Sequence, residues 1–576
     1  MQPTARFMDA RNQLLRLRND LGAARSEFLW PRFERFNWVR DYFDVVAETH
    51  AAGLALRLID DAGTDLSLSY QDLSRRSCQV AAFLAAQGVG RGDRVLIMLG
   101  NSVALWETML AAIRLGAVMI PSATLLDREE LRDRIERGHV KAIVAHAHRA
   151  SQFAGLPGAP VRISVDAVVP GWVSYEDSRE APESFQTADT RANDVLLLYF
   201  TSGTTARPKL VAHTHASYPI GHLSTMYWLG LQPGDVHLNL SSPGWAKHAW
   251  SCFFAPWNAQ ATILAYAYER FDPRALLDHL VHNRVTTFCA PPTVWRMLIQ
   301  HDLRRWPVGL REATSAGEPL NSEVIGRVRE AWGITIRDGF GQTETTAQIG
   351  NPPGQPLKPG SMGRPLPGYP IVLLSADGRE GDDGEICIDL KDRPVGVMKE
   401  YLGDAERTAG ATSGGYYHTG DVASRDAEGY LTYVGRLDDV FKSSDYRISP
   451  FELESVLLEH RAVVEAAVVP SPDSLRLSVP KAFIMLAAGA TADASTATSI
   501  LQHVRGRVAP YKRIRRVEFG TLPKTASGKI RRVDLRQREW QRPTSTPRHP
   551  NEFWEEDLPA LAPQRPRSKP GGHERV

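Results

Sequence analysis

The sequence predicts an α/β protein made of one large and one small domain, and three observations carry that reading. Its 576 residues are too many for one compact core. Helical and extended apolar patterns alternate along it, and the alternation restarts after Gly435. Leu68 to Leu126 sets the rhythm, with an amphipathic helix pattern over Tyr70 to Gln87 and a short strand over Arg94 to Leu99. A second helix over Ser102 to Leu115 and a strand over Ala117 to Pro121 complete it. Similar strand signals at Val195 to Phe200, Ala261 to Leu264, Thr286 to Ala290 and Glu312 to Ser315 extend one large domain over residues 1–435. Residues 436–540 then read as a small α/β domain. Its helices fall at Pro450 to Glu459 and Thr496 to Val508, and its strands at Glu465 to Pro470, Lys481 to Leu486 and near Val517. From Gln541 the chain is dense in proline, arginine and glycine, so residues 541–576 read as a disordered tail, too poor in aliphatics to offset the entropy of ordering, with Asn551 to Leu558 (NEFWEEDL) the one part able to dock.

Composition narrows the partners. The 68 Lys and Arg residues stand against 66 Asp and Glu, a balance that gives no reason to expect nucleic acid or an anionic membrane as the main partner. The most apolar long stretch, Thr108 to Leu126, contains Arg114 and reads as a buried helix followed by a strand, not a membrane span. Met1 to Asp20 is studded with arginines and lacks the apolar core of a secretion leader. The four cysteines, Cys78, Cys252, Cys289 and Cys387, are isolated. With no CxxC spacing they argue against a zinc site or a disulfide framework and suit a reducing cytoplasm.

The most informative segment is Thr201 to Lys209, reading TSGTTARPK directly after an apolar run. Thr201, Ser202, Thr204 and Thr205 offer hydroxyls, Gly203 lets backbone amides approach, and Lys209 brings a cation, a set suited to a polyphosphate. Composition alone describes a surface turn equally well. Five further segments follow in order: GEPL at Gly317 to Leu320, DGFGQTE at Asp338 to Glu344, YHTGD at Tyr417 to Asp421, GRLDDVFKSSDYRI at Gly435 to Ile448, and PKTASGKIRR at Pro523 to Arg532. Together the six motifs, over about residues 40 to 535, resemble the acyl-CoA synthetases of the adenylate-forming superfamily. NLSSPGWAKHAWS at Asn239 to Ser251, FCAPPT at Phe288 to Thr293 and GYYHTGD look most like the branch acting on medium-chain or branched fatty acids.

The resemblance implies a large adenylate-forming domain, a small mobile C-terminal domain, and a ligase using ATP, Mg²⁺ and coenzyme A. A carboxylate attacks the α-phosphorus of ATP and expels pyrophosphate, and the thiol of coenzyme A then attacks the acyl-adenylate. Carried over motif by motif, Thr201 to Lys209 hold the outer phosphates. Gly317 and Glu318 border the adenine, and Phe340 stacks on or flanks it within the segment of Asp338, Gly339, Gly341 and Gln342. Thr343 contacts the α-phosphate and Glu344 binds the metal. Asp421 accepts the ribose hydroxyls, Arg436 contacts ribose or phosphate, and Asp438 is the hinge, a salt bridge being its alternative. Lys529 neutralises charge forming at the α-phosphate. Arg447 reaches nucleotide or coenzyme, while Ser444, Asp445 and Tyr446 with Tyr511, Lys512 and Arg513 line the coenzyme path. A solvated basic turn around Lys512, Arg513 and Arg515 is an equal alternative. Trp245 matches the family's acid-binding segment, and Lys247 beside it faces substrate, coenzyme or solvent. His213 and His215 read as packed histidines more than as bases. The oligomeric state is open, with a homodimer among the options.

Two positions depart from the pattern. Ala206 replaces a glycine of the phosphate loop, and Asp445 replaces one beside the pantetheine channel. A carboxylate there narrows the passage and disfavours a nearby thiolate, though Asp tolerates left-handed backbone and its side chain can turn to solvent. Asp445 therefore motivates a second reading, an adenylating enzyme that passes its acyl group to a carrier-protein phosphopantetheine or other acceptor. A non-catalytic nucleotide-binding switch is the third, and the joint presence of Lys529, Glu344 and Asp421 speaks against it.

Overall fold

A computed structural model describes residues 2–158, 160–201, 208–318, 320, 322–443, 446–473, 477–524, 530–542 and 547–561. Two compact units emerge, one of Met1–Thr419 with Ala423–Tyr433, the other of Gly420–Val422 with the chain from Val434 onward. The α/β class holds in both. In the large unit a nine-stranded and an eight-stranded sheet are mostly parallel through their centres, as alternating strands and helices require. The central strands, such as Arg94–Met98 and Thr287–Ala290, are continuous apolar runs because helices and loops cover them on both faces.

Local signals set the element ends. Tyr70–Ala86 starts at a capping box in which Ser69 and Asp72 satisfy each other's backbone amides. Val103–Leu115 stops at Gly116, held in left-handed geometry. In the small unit the second long helix spans Ala494–Arg505, starting earlier than its apolar pattern suggests because the Asp493 side chain caps the Thr496 amide. The helix Ser217–Leu229 is buried on every side, consistent with its lack of a polar face. There the backbone of Gly221 approaches Gly396 so closely that a Cβ would lie 2.7 Å from the Gly396 Cα.

The small unit carries a four-stranded sheet in the order Val463–Asp473, Leu477–Leu486, Arg516–Phe519, Glu552–Trp554. Its last strand corrects the expectation of a disordered tail from Gln541. Glu552, Phe553 and Trp554 pair antiparallel with Glu518, Val517 and Arg516, while Leu558 and Leu561 enter the core beside Ile500 and Leu501. Three local anchors achieve what mean composition hides. Glu552 brings a carboxylate to the buried Lys481 and Glu555 one to the half-buried Arg505, and the Trp554 ring lies 3.8 Å from the Arg516 guanidinium and 3.7 Å from that of Arg548.

Candidate active site

The strands Val195–Thr201 and Lys209–Thr214 form a hairpin in which Thr201 pairs with Lys209. Those two residues therefore bracket the loop expected to hold phosphates, whose Ser202, Gly203, Thr204 and Thr205 lie outside the described residues. Lys209 Nζ stands 3.4 Å from the Tyr401 hydroxyl and 4.0 Å from the Glu344 carboxylate. Tyr401 in turn donates to Glu344 Oε1 at 2.9 Å. Burial, then the carboxylate it faces, push the Tyr401 phenol far above its ordinary value, so it stays a donor. Glu344 is only 8% exposed and its backbone carbonyl accepts from the Met398 amide at 2.7 Å. A cavity of about 560 Å³ adjoins this group, lined by Arg137, Lys209, Tyr401 and Arg407 among others.

The turn bearing Gln342, Thr343 and Glu344 is fixed from beneath. His213 Nε2 meets the Thr343 carbonyl at 2.7 Å and its Nδ1 meets Ser217 Oγ at 3.0 Å. Burial pushes the His213 imidazole down to about 3, and that of His215 likewise. Both are neutral packed rings, as their setting after a strand suggests. Gln342 donates to the Thr419 carbonyl at 2.9 Å and accepts from the Tyr417 hydroxyl at 2.9 Å, so the GQTE and YHTGD motifs meet directly.

The glycines of DGFGQTE answer to packing. A Cβ on Gly339 would sit 2.3 Å from the Trp228 ring, and one on Gly341 would sit 2.3 Å from the Thr346 carbonyl. Phe340, half-buried between them, faces Tyr433 at 6.4 Å. Gly339 pairs with Ala316, so the chain leaves that strand into Gly317 and Glu318 alongside the same segment. Lys247 donates to the Ala316 carbonyl at 3.0 Å, which brings the SSPGWAK segment there too. Lys247 thus turns inward. Burial pushes the Asp338 carboxyl up to about 7, against the pull of the Gly339 and Leu320 amides and the Lys247 ammonium. Trp245 is half-buried, packed with Leu96, Met98 and Ala123, while Trp250, Cys252, Phe253 and Phe254 belong to the main core.

In the small unit, Asp421 is 5% exposed and Arg436 donates to it at 3.1 Å. Asp438 lies 3.6 Å from the same guanidinium, the salt bridge that was the alternative to a hinge, and its carbonyl accepts from Arg536 at 2.8 Å. Lys512 is bound to Glu452 at 2.6 Å and Arg515 to Glu555. Two cations of the trio expected near coenzyme phosphates therefore already have carboxylate partners. Tyr511 is exposed and the Arg513 Nε finds no protein acceptor among the described residues. Ser444, Asp445 and Lys529 lie outside the described residues, as do the side chains of Tyr446 and Arg447. Tyr401 went unnoticed in the sequence. Its only local signal is an aromatic after Glu400, and its partner Glu344 is 57 residues away.

Residues 43–402 match the AMP-binding enzyme family and residues 452–529 the AMP-binding enzyme C-terminal domain. The chain is 44% identical over 518 residues to 4-hydroxybutyrate–CoA ligase 1 of Metallosphaera sedula, covering 88% of this chain and 91% of that one. It is 37% identical over 528 residues to the mitochondrial acyl-coenzyme A synthetase ACSM3 of Rattus norvegicus, covering 88% and 91%. Among solved structures, the anthranilate CoA ligase AuaEII with anthranoyl-AMP superposes with a TM-score of 0.80 at 28% identity, covering 88% and 98%. A benzoate CoA ligase from Burkholderia xenovorans LB400 gives 0.76 at 30% identity, covering 87% and 100%. No helix of the described residues is long and apolar enough to cross a membrane.

Proposed function

The chain belongs to the AMP-binding enzyme family and is an ATP-dependent acid–CoA ligase, and from that premise we propose that it activates an aliphatic carboxylic acid of the medium-chain or branched class. The observation that carries the site reading is the Lys209–Tyr401–Glu344 group at the foot of the phosphate loop. A cation, a fixed phenolic donor and a buried carboxylate at one point suit a polyphosphate with its metal. Glu344 offers a hard oxygen donor and would hold Mg²⁺, which when bound would neutralise phosphate charge.

In the first step a carboxylate oxygen of the acid bonds to the α-phosphorus as the bond to the β-phosphate oxygen breaks, and pyrophosphate leaves. Lys209 would hold the departing phosphates, and Thr343 and Lys529 would meet the charge at the α-phosphate. In the second step the coenzyme A sulfur bonds to the acyl carbon, AMP leaves, and the thiol proton passes to solvent. Asp421 and Arg436 would retain the ribose through both, with Asp438 as the hinge between them. The Trp245 to Lys247 segment supports an apolar chain with a polar end. The CoA ligases among the relatives favour coenzyme A over a carrier protein as acceptor.

Incubation of the purified chain with ATP, Mg²⁺, coenzyme A and acids from acetate to octanoate, with branched acids, 4-hydroxybutyrate and benzoate, tests this. Acyl-CoA and AMP are expected to form fastest with medium-chain or branched acids. Preference for 4-hydroxybutyrate or benzoate would refute the substrate assignment. Glu344→Gln and Lys529→Ala are each expected to slow ATP–pyrophosphate exchange by about 10² to 10³, and near-normal exchange would refute their roles.

A further inference from the structure

Outside this site, a third sheet brings together three unlike donor groups. Glu385 and Cys387 alternate along Asp383–Asp389 and so share a face, while Ile386 and Ile388 fill the core on the other. The neighbouring strand Tyr416–Arg425 supplies His418, and the two strands are tied there by the Thr419 hydroxyl donating to the Ile386 carbonyl at 2.7 Å. His418 Nδ1 lies 2.9 Å from Glu385 Oε2 and 3.5 Å from Cys387 Sγ. All three donor atoms fall within 4.8 Å of one another. Cys387 is fully buried, whereas the side chains of His418 and Glu385 are 27% and 14% exposed.

We propose that Cys387, His418 and Glu385 form a mononuclear site for a thiophilic divalent cation of the zinc class, with water as the fourth ligand. Bond lengths of about 2.3 Å to sulfur and about 2.0 to 2.1 Å to nitrogen in a tetrahedron set sulfur and nitrogen about 3.6 Å apart, against the 3.5 Å found. Nitrogen and oxygen would stand about 3.4 Å apart, so the 2.9 Å contact need open only slightly. Thiolate, imidazole and carboxylate together select zinc-like ions over magnesium or calcium. Binding forms one bond each from sulfur, nitrogen and oxygen to the ion. The thiol proton and the proton between His418 Nδ1 and Glu385 leave, and His418 carries one proton on Nε2. The absence of CxxC spacing did not foretell this, because neighbouring strands assemble the donors instead.

Cobalt(II) titrated into the untagged, metal-free full chain is the test. One equivalent is expected to give a near-ultraviolet thiolate-to-cobalt band that Zn²⁺ abolishes and excess Mg²⁺ does not. Cys387→Ser should lose the band while acyl-CoA formation stays within about twofold. His418→Gln and Glu385→Gln should each weaken binding by more than about a hundredfold, beyond what outer-shell partners carry. No band in the unaltered chain, a band that survives Cys387→Ser, or displacement by Mg²⁺ overturns the site. Each outcome is independent of which acid the enzyme activates.

Discussion

Two buried polar clusters, one in each unit, solve the same problem in opposite ways. Beneath the Gln342–Glu344 turn the groups carry no formal charge: His213 joins Ser217 and Thr343, while Thr346 joins Tyr369 at 2.6 Å and donates to Gly221 at 2.8 Å. In the small unit Lys481 is 0% exposed and meets Glu539 at 2.7 Å, Glu518 at 2.8 Å and Glu552 at 2.9 Å. Arg538 and Arg542 pair with Glu518 and Glu552, so three cations balance three carboxylates. Burial alone would push Glu552 up, but hydrogen bonds from Arg542 and Lys481 hold it down at about 2. The neutral cluster fixes backbone atoms under the Thr343 and Glu344 side chains with little field of its own. The charged one gains specificity of pairing at the risk of a large penalty should one member fail.

Removing a member is the largest test. Lys481→Met leaves three carboxylates facing one another and is expected to cost about 3 to 5 kcal/mol. Amide exchange should then rise through Val463–Asp473 and Arg516–Phe519 while Ser217–Leu229 keeps its protection. Equal loosening of both regions would break the comparison.

Acid comes next. The His213 pKa is about 3 when folded against 6.5 for the free group, so the stability of the neutral ring is complete above pH 6.5 and lost as pH falls toward 3. The loss is at most about 1.4 kcal/mol per pH unit for each such histidine. The Glu552 contribution is present above pH 4.5 and lost only as pH falls through about 2. His460 and His503 in the small unit are also lowered by burial, but they are partly exposed. Exchange measured from pH 6.5 to 4.5 should therefore show the large unit weakening first. Asp338 works with the opposite sign. Its raised pKa gives stability that is full below 3.8 and lost as pH rises through about 7, so Asp338→Asn should steepen the acid loss.

Smaller effects sharpen the contrast. Ser217→Ala removes the partner of both His213 Nδ1 and the Thr214 amide and is expected to cost about 1 to 2 kcal/mol, independent of salt. Trp554→Ala removes two guanidinium contacts and the Nε1 bond to Glu552. Thermal unfolding should register about 1 kcal/mol.

These clusters also mark where the sequence could and could not be read. Ordered motifs and apolar runs made the α/β class and the family legible, because each rests on neighbours in the chain. Gly339 and Gly341 were legible as motif members but not as the places where Trp228 and Thr346 press on the backbone. The Tyr401–Glu344 bond, the Lys481 knot and the Cys387–His418 approach join residues 31 to 71 positions apart. Nothing local announces such partners. Within the tail, Asn551 to Leu558 stood out as the one part able to dock, but not as a strand: composition averaged over the tail gave no weight to three anchors in four residues.

The sealing of Lys481 has a chemical consequence of its own. A ligase that makes acyl-adenylates and thioesters works amid acylating agents, and an amine behind three carboxylates at 0% exposure is out of their reach. Acylation would erase the charge the carboxylates need, so a modified Lys481 marks a molecule that opened at least once. Acyl adducts at that position, counted by mass spectrometry after turnover, would serve as a clock of how often the small unit comes apart while the enzyme runs.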